Sequence, residues 1–240
     1  MIEIGGVNKS FGKLQVLKNI CARFQQGGSY AIVGPNGSGK TTLIKSILGM
    51  VLPDSGTIQV DNEPVLGHWS YRRKIGYMPQ IGRYPDNMRM GQLLNMIRDL
   101  RAEATTIDEE LVEELQLTPL FAKRMHTLSG GTRQKVSAAI SFLFNPEILI
   151  LDEPTAGLDP LSVEILKNKI LKEKERGKVF LITSHIMSDL DELSSDILYL
   201  EEGVIRYADS IANLKRETGE EKLGRAIAGM MRNNFNRTAS

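Results

Sequence analysis

The residues Gly34-Pro35-Asn36-Gly37-Ser38-Gly39-Lys40-Thr41 fit the pattern G-x-x-x-x-G-K-[ST]. They lie between an apolar run, Ser29 to Val33, and a stretch that reads as helix from about Lys40 to Met50. Glycines at this spacing let successive backbone N–H groups turn inward on phosphate oxygens, and the helix N-terminus behind them adds about half a positive charge. Lys40 reaches the β- and γ-phosphates of a nucleotide, Thr41 carries a hydroxyl suited to Mg²⁺, and Thr42 is placed for an α-phosphate.

A second constellation is Ile148-Leu149-Ile150-Leu151-Asp152-Glu153. Its apolar residues read as a strand buried on both faces, so Asp152 falls at the carboxyl end, where ligands sit in open α/β sheets. A carboxylate there suits the water shell of a phosphate-bound Mg²⁺. Glu153, one residue on, is placed to polarise an attacking water as general base. In isolation an acidic pair ending a strand is as readily a solvated turn; the phosphate cradle upstream favours the chemical reading.

These segments need a sheet to hold them. Ile2 to Val7, Val16 to Phe24 and Ser29 to Val33 are β-rich and separated by turn sequences, which predicts an antiparallel opening. Thr57 to Val60 and Ile75 to Met78 read as further strands. From Pro85 to about Leu128 the apolar period becomes helical, with Met90, Leu93, Leu94, Ile97 and Leu100 on one face and Leu111, Leu115 and Leu117 on the next. Another helix runs past Thr132 to Phe144. Strand 148–151, helix 161–176, strand 179–183, helix 187–193 and strand 197–201 then alternate, which predicts a parallel sheet covered by helices. Glu202-Gly203 turns into a final strand, Val204 to Tyr207, and Ser210 to Glu217 reads as helix. The tail, 218–240, spaces Leu223, Ile227, Met230 and Met231 as an amphipathic helix with a frayed end. That face serves equally for packing on its own domain or for a partner.

The formal net charge of +1 over 240 residues gives no reason to expect nucleic acid as a partner. The longest apolar runs are far shorter than the roughly 20 residues of a membrane helix, and the start lacks the pattern of a secretory signal. The single Cys21 cannot form an internal disulfide and reads as a small buried thiol. A cytoplasmic protein is expected.

Together the motifs resemble an ATP-binding cassette (ABC) ATPase over residues 1–217. The most diagnostic segment is Leu128-Ser129-Gly130-Gly131-Thr132, similar to that family's signature LSGGQ, with Thr132 where Gln is usual. By itself Ser-Gly-Gly is more often a helix cap. The resemblance implies an α/β P-loop NTPase: a mixed RecA-like core built on a parallel sheet, an N-terminal antiparallel β-subdomain and a helical subdomain insert at about 85–145. It implies ATP and Mg²⁺ as ligands, with the metal held by Thr41, Gln80 and Asp152. It implies that Gly34 to Thr42 and Phe11 bind the nucleotide of one copy, while Ser129, Gly130, Gly131 and Asp159 of a second copy close over it, head to tail. Glu153, Gln80 and the switch histidine, His185, are the implied catalytic residues. Without the resemblance, Gln80 would read as loop surface, His185 as a satisfied polar residue, and Phe11 equally as core.

A homodimer working on a separate transmembrane permease, peripheral on the cytoplasmic face of the inner membrane, is the implied assembly. The stretches Ser184-His185, Asp191-Glu192-Leu193 and Leu200 to Ile205 resemble exporter-type members. The runs Tyr77 to Pro85 and Leu128 to Lys135 are similar to the ATPases associated with copper-site assembly of nitrous-oxide reductase. No Cys or His cluster in the sequence would bind copper itself, so cargo contact is expected elsewhere. Two other readings stay open. One is a soluble ABC ATPase acting on nucleic acid or ribosomes, although there is one copy of each motif and no heptad tract. The other is a signalling ABC ATPase without transport, which a transport assay separates.

Overall fold

The computed structural model describes residues 1–238 of the chain, with side chains to position 232. Along the chain run β1 (Ile2–Phe11), β2 (Leu14–Phe24), β3 (Ser29–Val33), α1 (Lys40–Ile47), β4 (Ser55–Val60), β5 (Glu63–Pro64) and β6 (Ile75–Met78). Next come α2 (Met90–Asp99), α3 (Glu110–Glu114), α4 (Gly130–Phe142), β7 (Ile148–Asp152), α5 (Pro160–Glu175) and β8 (Val179–Thr183). The chain continues through α6 (Met187–Leu193), β9 (Asp196–Glu201), β10 (Val204–Ser210), α7 (Ile211–Thr218) and α8 (Leu223–Thr238). These elements form two compact units, Met1–Arg72 with Val179 onward, and Arg73–Lys178.

In the first unit β2, β1, β4 and β5 make an antiparallel sheet in that order. Phe11-Gly12-Lys13 turns between β1 and β2 as the sequence predicts. Asp61 and Asn62, both at positive φ (49° and 64°), form a second tight hairpin between β4 and β5, the geometry that matches strand twist. In the same unit β3 lies between β8 and β9, parallel to both, and β10 returns antiparallel along β9 through Glu202-Gly203, both at positive φ. Every residue of β8 is buried, as befits a strand covered on both faces. Helix α8 buries Leu223, Ala226, Ile227 and Met230 and packs on α6 and α7. The apolar stripe of the tail is thus consumed by its own unit. Residues 239–240, the last of the tail expected to fray, lie outside the described residues.

In the second unit β6 pairs in parallel with β7, Met78 opposite Leu151. The segment 85–128 is less helical than its periodicity predicts: α2 and α3 are joined to short 3-10 turns at Thr118–Leu120 and Met125–Thr127. Gln116 adopts φ 53°, which ends α3, and Pro119 follows. The apolar positions nevertheless find the core, with Leu93, Leu94, Leu111, Leu115 and Leu117 buried. Leu100, at 74% exposure, does not. Cys21 is also a correction: it is exposed, on β2, where its sulfur accepts the Gly6 N–H at 3.2 Å.

An ionic cluster ties α5 to the start of α3. The buried Lys169 ammonium donates to Asp108 Oδ2 (2.5 Å), Glu110 Oε2 (2.7 Å) and Glu173 Oε1 (2.9 Å). Burial alone would lower the Lys169 pKa, but its carboxylate partners outweigh that and raise it. Glu110 is held down to about 2, first by Lys169 and then by Lys172. Lys169→Met leaves the carboxylates facing one another without their central cation, and we expect it to cost about 3–5 kcal/mol, read as a lower urea midpoint at pH 7. Because the Glu110 pKa is depressed on folding, its contribution is present above its ordinary value of 4.5 and is lost as pH falls toward about 2. Thermal melts across that window should show the loss in the native chain and less of it in Lys169→Met.

Candidate functional site

The cradle follows β3. Its glycines are required by geometry: Gly34 sits at φ 154°, and a Cβ there would lie 1.9 Å from the Leu200 carbonyl oxygen. Gly39 sits at φ 108°, with its Cβ position 2.9 Å from the Val16 carbonyl. Only glycine accepts such torsions against neighbouring backbone. Helix α1 then starts on Gly39 with neither a side-chain cap nor an acidic residue in its first turn, so its leading N–H groups suit an anion.

Lys40 folds over the loop, its ammonium donating to the carbonyls of Gly34 (2.7 Å) and Pro35 (3.1 Å). The Ser38 hydroxyl is buried with no hydrogen-bond partner in the chain, so its bonding capacity is open to a ligand at the cradle. Pro35, Asn36, Gly37 and Thr41 are exposed and Thr42 is half-buried. A phosphate chain fits this set of donors.

Phe11 ends β1 with 52% of its surface exposed, so it is not core, and the Lys9 ammonium lies 5.4 Å from its ring centroid. A face of this kind serves for stacking. His185 is exposed just after β8. Since Ala31 of β3 pairs in parallel with Ile182 of β8, His185 and the cradle leave adjacent strands at the same end. The first unit thus brings together Gly34 to Thr42 and His185.

The second unit gathers the rest. Asp152 and Glu153 are both 8% exposed, at the end of the wholly buried β7. Burial pushes the Tyr77 hydroxyl pKa up, and the Asp152 carboxylate pushes the same way. Gln80, exposed, emerges beyond β6 at the same end of the β6–β7 pair. Glu153 adopts φ 54°, a left-handed conformation that costs a non-glycine residue about 1–3 kcal/mol and clusters at functional sites. Its carbonyl accepts from the Gln134 side chain (3.1 Å) and from Ala156 N–H (3.2 Å).

Ser129 caps α4, its hydroxyl accepting from Thr132 N–H at 3.2 Å and lying 2.9 Å from the Thr132 hydroxyl. The Thr at this position therefore supports the cap. Ser129 and Gly130 are exposed. Gly131 must be glycine because its Cβ position is 2.6 Å from the Gly157 carbonyl. Asp159 caps α5, accepting from Ser162 N–H (3.0 Å) and Oγ (2.8 Å), and pairs with Lys135 at 2.7 Å. Lys135 first, then Ser162, holds the Asp159 carboxyl well below the usual carboxylate range.

Two contacts were not anticipated. Gln134 is a polar residue turned to a buried helix face, a signal available in the periodicity of α4. Lys135 meets Asp159 across 24 positions of sequence and left no local signal.

Residues 17–156 match the family model described as ABC transporter. The chain is 33% identical over 227 residues to the uncharacterized ABC transporter ATP-binding protein YhaQ of Bacillus subtilis, covering 93% of this chain and 76% of that protein. It is 32% identical to the lantibiotic transport ATP-binding protein SrtF of Streptococcus pyogenes, covering 85% and 89%. To the Nod factor export ATP-binding protein I of Ralstonia nicotianae it is 29% identical, covering 85% of this chain and 65% of that protein's length. The fold is that of a solved ATP-binding subunit of an ABC transporter, with a TM-score of 0.89, 24% identity and coverage of 96% and 99%. Phosphate cradle, acidic strand end and capped signature helix all fall in one chain with these likenesses, and the chain belongs to the ABC transporter family as an ABC ATPase, an ATP-binding domain.

Proposed function

We propose that the chain hydrolyses ATP as the energising subunit of an exporter, as a homodimer in which the cradle of one copy faces the signature of the other. The observation that carries the reading is Glu153: a buried carboxylate at a strand end, held in a strained backbone conformation, in a chain that also carries a cradle for phosphates. Glu153 accepts a proton from the attacking water as general base. Lys40, the backbone N–H groups of the cradle and the start of α1 steady the phosphate oxygens. Phe11 stacks on the adenine, and His185 and Gln80 contact the γ-phosphate and the water.

The oxygen donors of Thr41, Asp152 and Gln80 are of the type Mg²⁺ takes, and the unpartnered Ser38 hydroxyl within the cradle fits a ligand bound there. Bound Mg²⁺ would neutralise phosphate charge. Asp159, although it caps α5 here, closes the loop that begins at the exposed Ala156-Gly157 and that would meet the second copy.

No helix among the described residues is long and apolar enough to cross a membrane, and the reading assigns the membrane crossing to a permease. In the second unit an open cleft of about 260 Å³, lined by Tyr77, Ile97, Leu100, Arg101, Ile140 and Phe144 among others, offers an apolar seat for a cytoplasmic segment of that permease. This would place the subunit on the cytoplasmic face of the inner membrane. The export reading is supported by the likeness to the Nod factor export ATP-binding protein, and transport more broadly by the likeness to the lantibiotic transport protein; a copper-related cargo rests on the likeness of the runs 77–85 and 128–135. The test is Mg-ATP-dependent cargo accumulation in inside-out vesicles carrying the chain and its permease. Accumulation that persists without ATP, or ATP turnover with no cargo movement, would contradict the export reading.

A further inference from the structure

We propose that Gln134 is a positioning residue for Glu153, so that the helix opening with the signature also sets the aim of the general base in its own copy. The inference rests on the reading of Glu153 as that base. Two contacts fasten the first turns of α4 to the loop from Glu153 to Asp159, and the backbones approach closely at a third point. The Gln134 Nε2 amide donates to the Glu153 carbonyl at 3.1 Å. The Lys135 ammonium pairs with Asp159 at 2.7 Å. At Gly131 the helix comes so near the loop that an added Cβ would lie 2.6 Å from the Gly157 carbonyl oxygen.

The Gln134 bond stands out among these because of what it grips. Glu153 is at φ 54°, a shallow basin for a residue with a Cβ, and such a residue stays there only where its surroundings over-determine it. Turning its carbonyl away swings the attached Cα–Cβ direction and with it the carboxylate. Gln134 is 6% exposed, and a buried primary amide is costly unless its donors are used. Ala156 N–H reaches the same carbonyl at 3.2 Å, but it belongs to the loop and moves with it. The Gln134 amide is anchored in a helix outside that loop. Displacement of about 1 Å at a reacting group costs up to roughly 100-fold in rate.

Gln134→Met keeps the length of the side chain and removes the donor. The expected result is a fall in kcat of about 10- to 100-fold with KM for ATP changed less than about twofold, because the cradle is untouched. In a Glu153→Gln background the same substitution should have almost no further effect, since the group it aims is gone. A merely structural role predicts losses that multiply in the double variant. Should Gln134→Met not fold, Gln134→Asn, which draws the amide back by one methylene, replaces it with the same expected split. Unchanged kcat in the folded variant, or multiplying losses, overturns the proposal. If Glu153→Gln by itself keeps turnover, the base assignment fails instead; if Glu153→Gln collapses and Gln134→Met does not slow, only the positioning role fails.

Discussion

Turnover of the Glu153→Gln variant is expected to fall by roughly 10²- to 10⁴-fold while ATP binding stays within a few-fold of the native chain. The amide keeps the volume and nearly the shape of the carboxylate, so the 8% exposed site stays filled and the Gln134 bond to the backbone carbonyl survives. What disappears is the proton acceptor. In free energy this is about 3–5 kcal/mol of lost transition-state stabilisation. Retained binding with collapsed chemistry should hold two copies closed around ATP, visible as an ATP-dependent dimer by light scattering. Turnover at the native rate would remove Glu153 from the mechanism.

Ser129→Arg is expected to abolish hydrolysis, by at least about 100-fold, without preventing nucleotide binding. Ser129 is exposed and is not itself a cradle residue, so its replacement leaves the sequence Gly34 to Thr42 unchanged. The loss of a helix cap costs about 1 kcal/mol of stability, too little to unfold the chain. In the proposed dimer, however, a guanidinium on a three-carbon stem would stand where a small hydroxyl and glycine N–H groups are proposed to meet the γ-phosphate of the other copy. Fluorescent-nucleotide binding and phosphate release, measured on the same sample, separate the two effects. Parallel loss of binding and hydrolysis would place the defect within one copy.

Much of this was legible in the chain, and the exceptions have physical causes. The cradle was readable because Gly34 and Gly39 must be glycine: their Cβ positions collide with backbone carbonyls, and such demands leave a spaced motif. β7 was readable because burial on both faces requires a continuous apolar run. Asp159 before Pro160 carried a helix-start signal, which the structure realises as the cap of α5.

Other features had no local cause to leave a mark. The positive φ of Glu153 is not one its residue type favours, and the Gln134 amide on its carbonyl comes from 19 positions away. The Lys169 cluster draws Asp108 and Glu110 from about 60 positions away, beyond any periodicity. Gln116 takes a turn conformation without being Gly or Asn, and the expected helix there stops short. The exposed Cys21 shows that a preference for burial yields to strand alternation when the residue falls on an outer face.

The central claim, that each ATP site is completed by a second copy, is tested most directly by mixing two inactive variants. Lys40→Ala disables a cradle and Ser129→Arg a signature, and each alone should be inactive. In an equal mixture that exchanges partners, half the dimers are mixed, and each mixed dimer pairs one native cradle with one native signature. Hydrolysis should therefore return to about a quarter of the native rate. A mixture as inactive as its components, or a diluted monomer of the native chain that hydrolyses ATP at the full rate, would contradict the account.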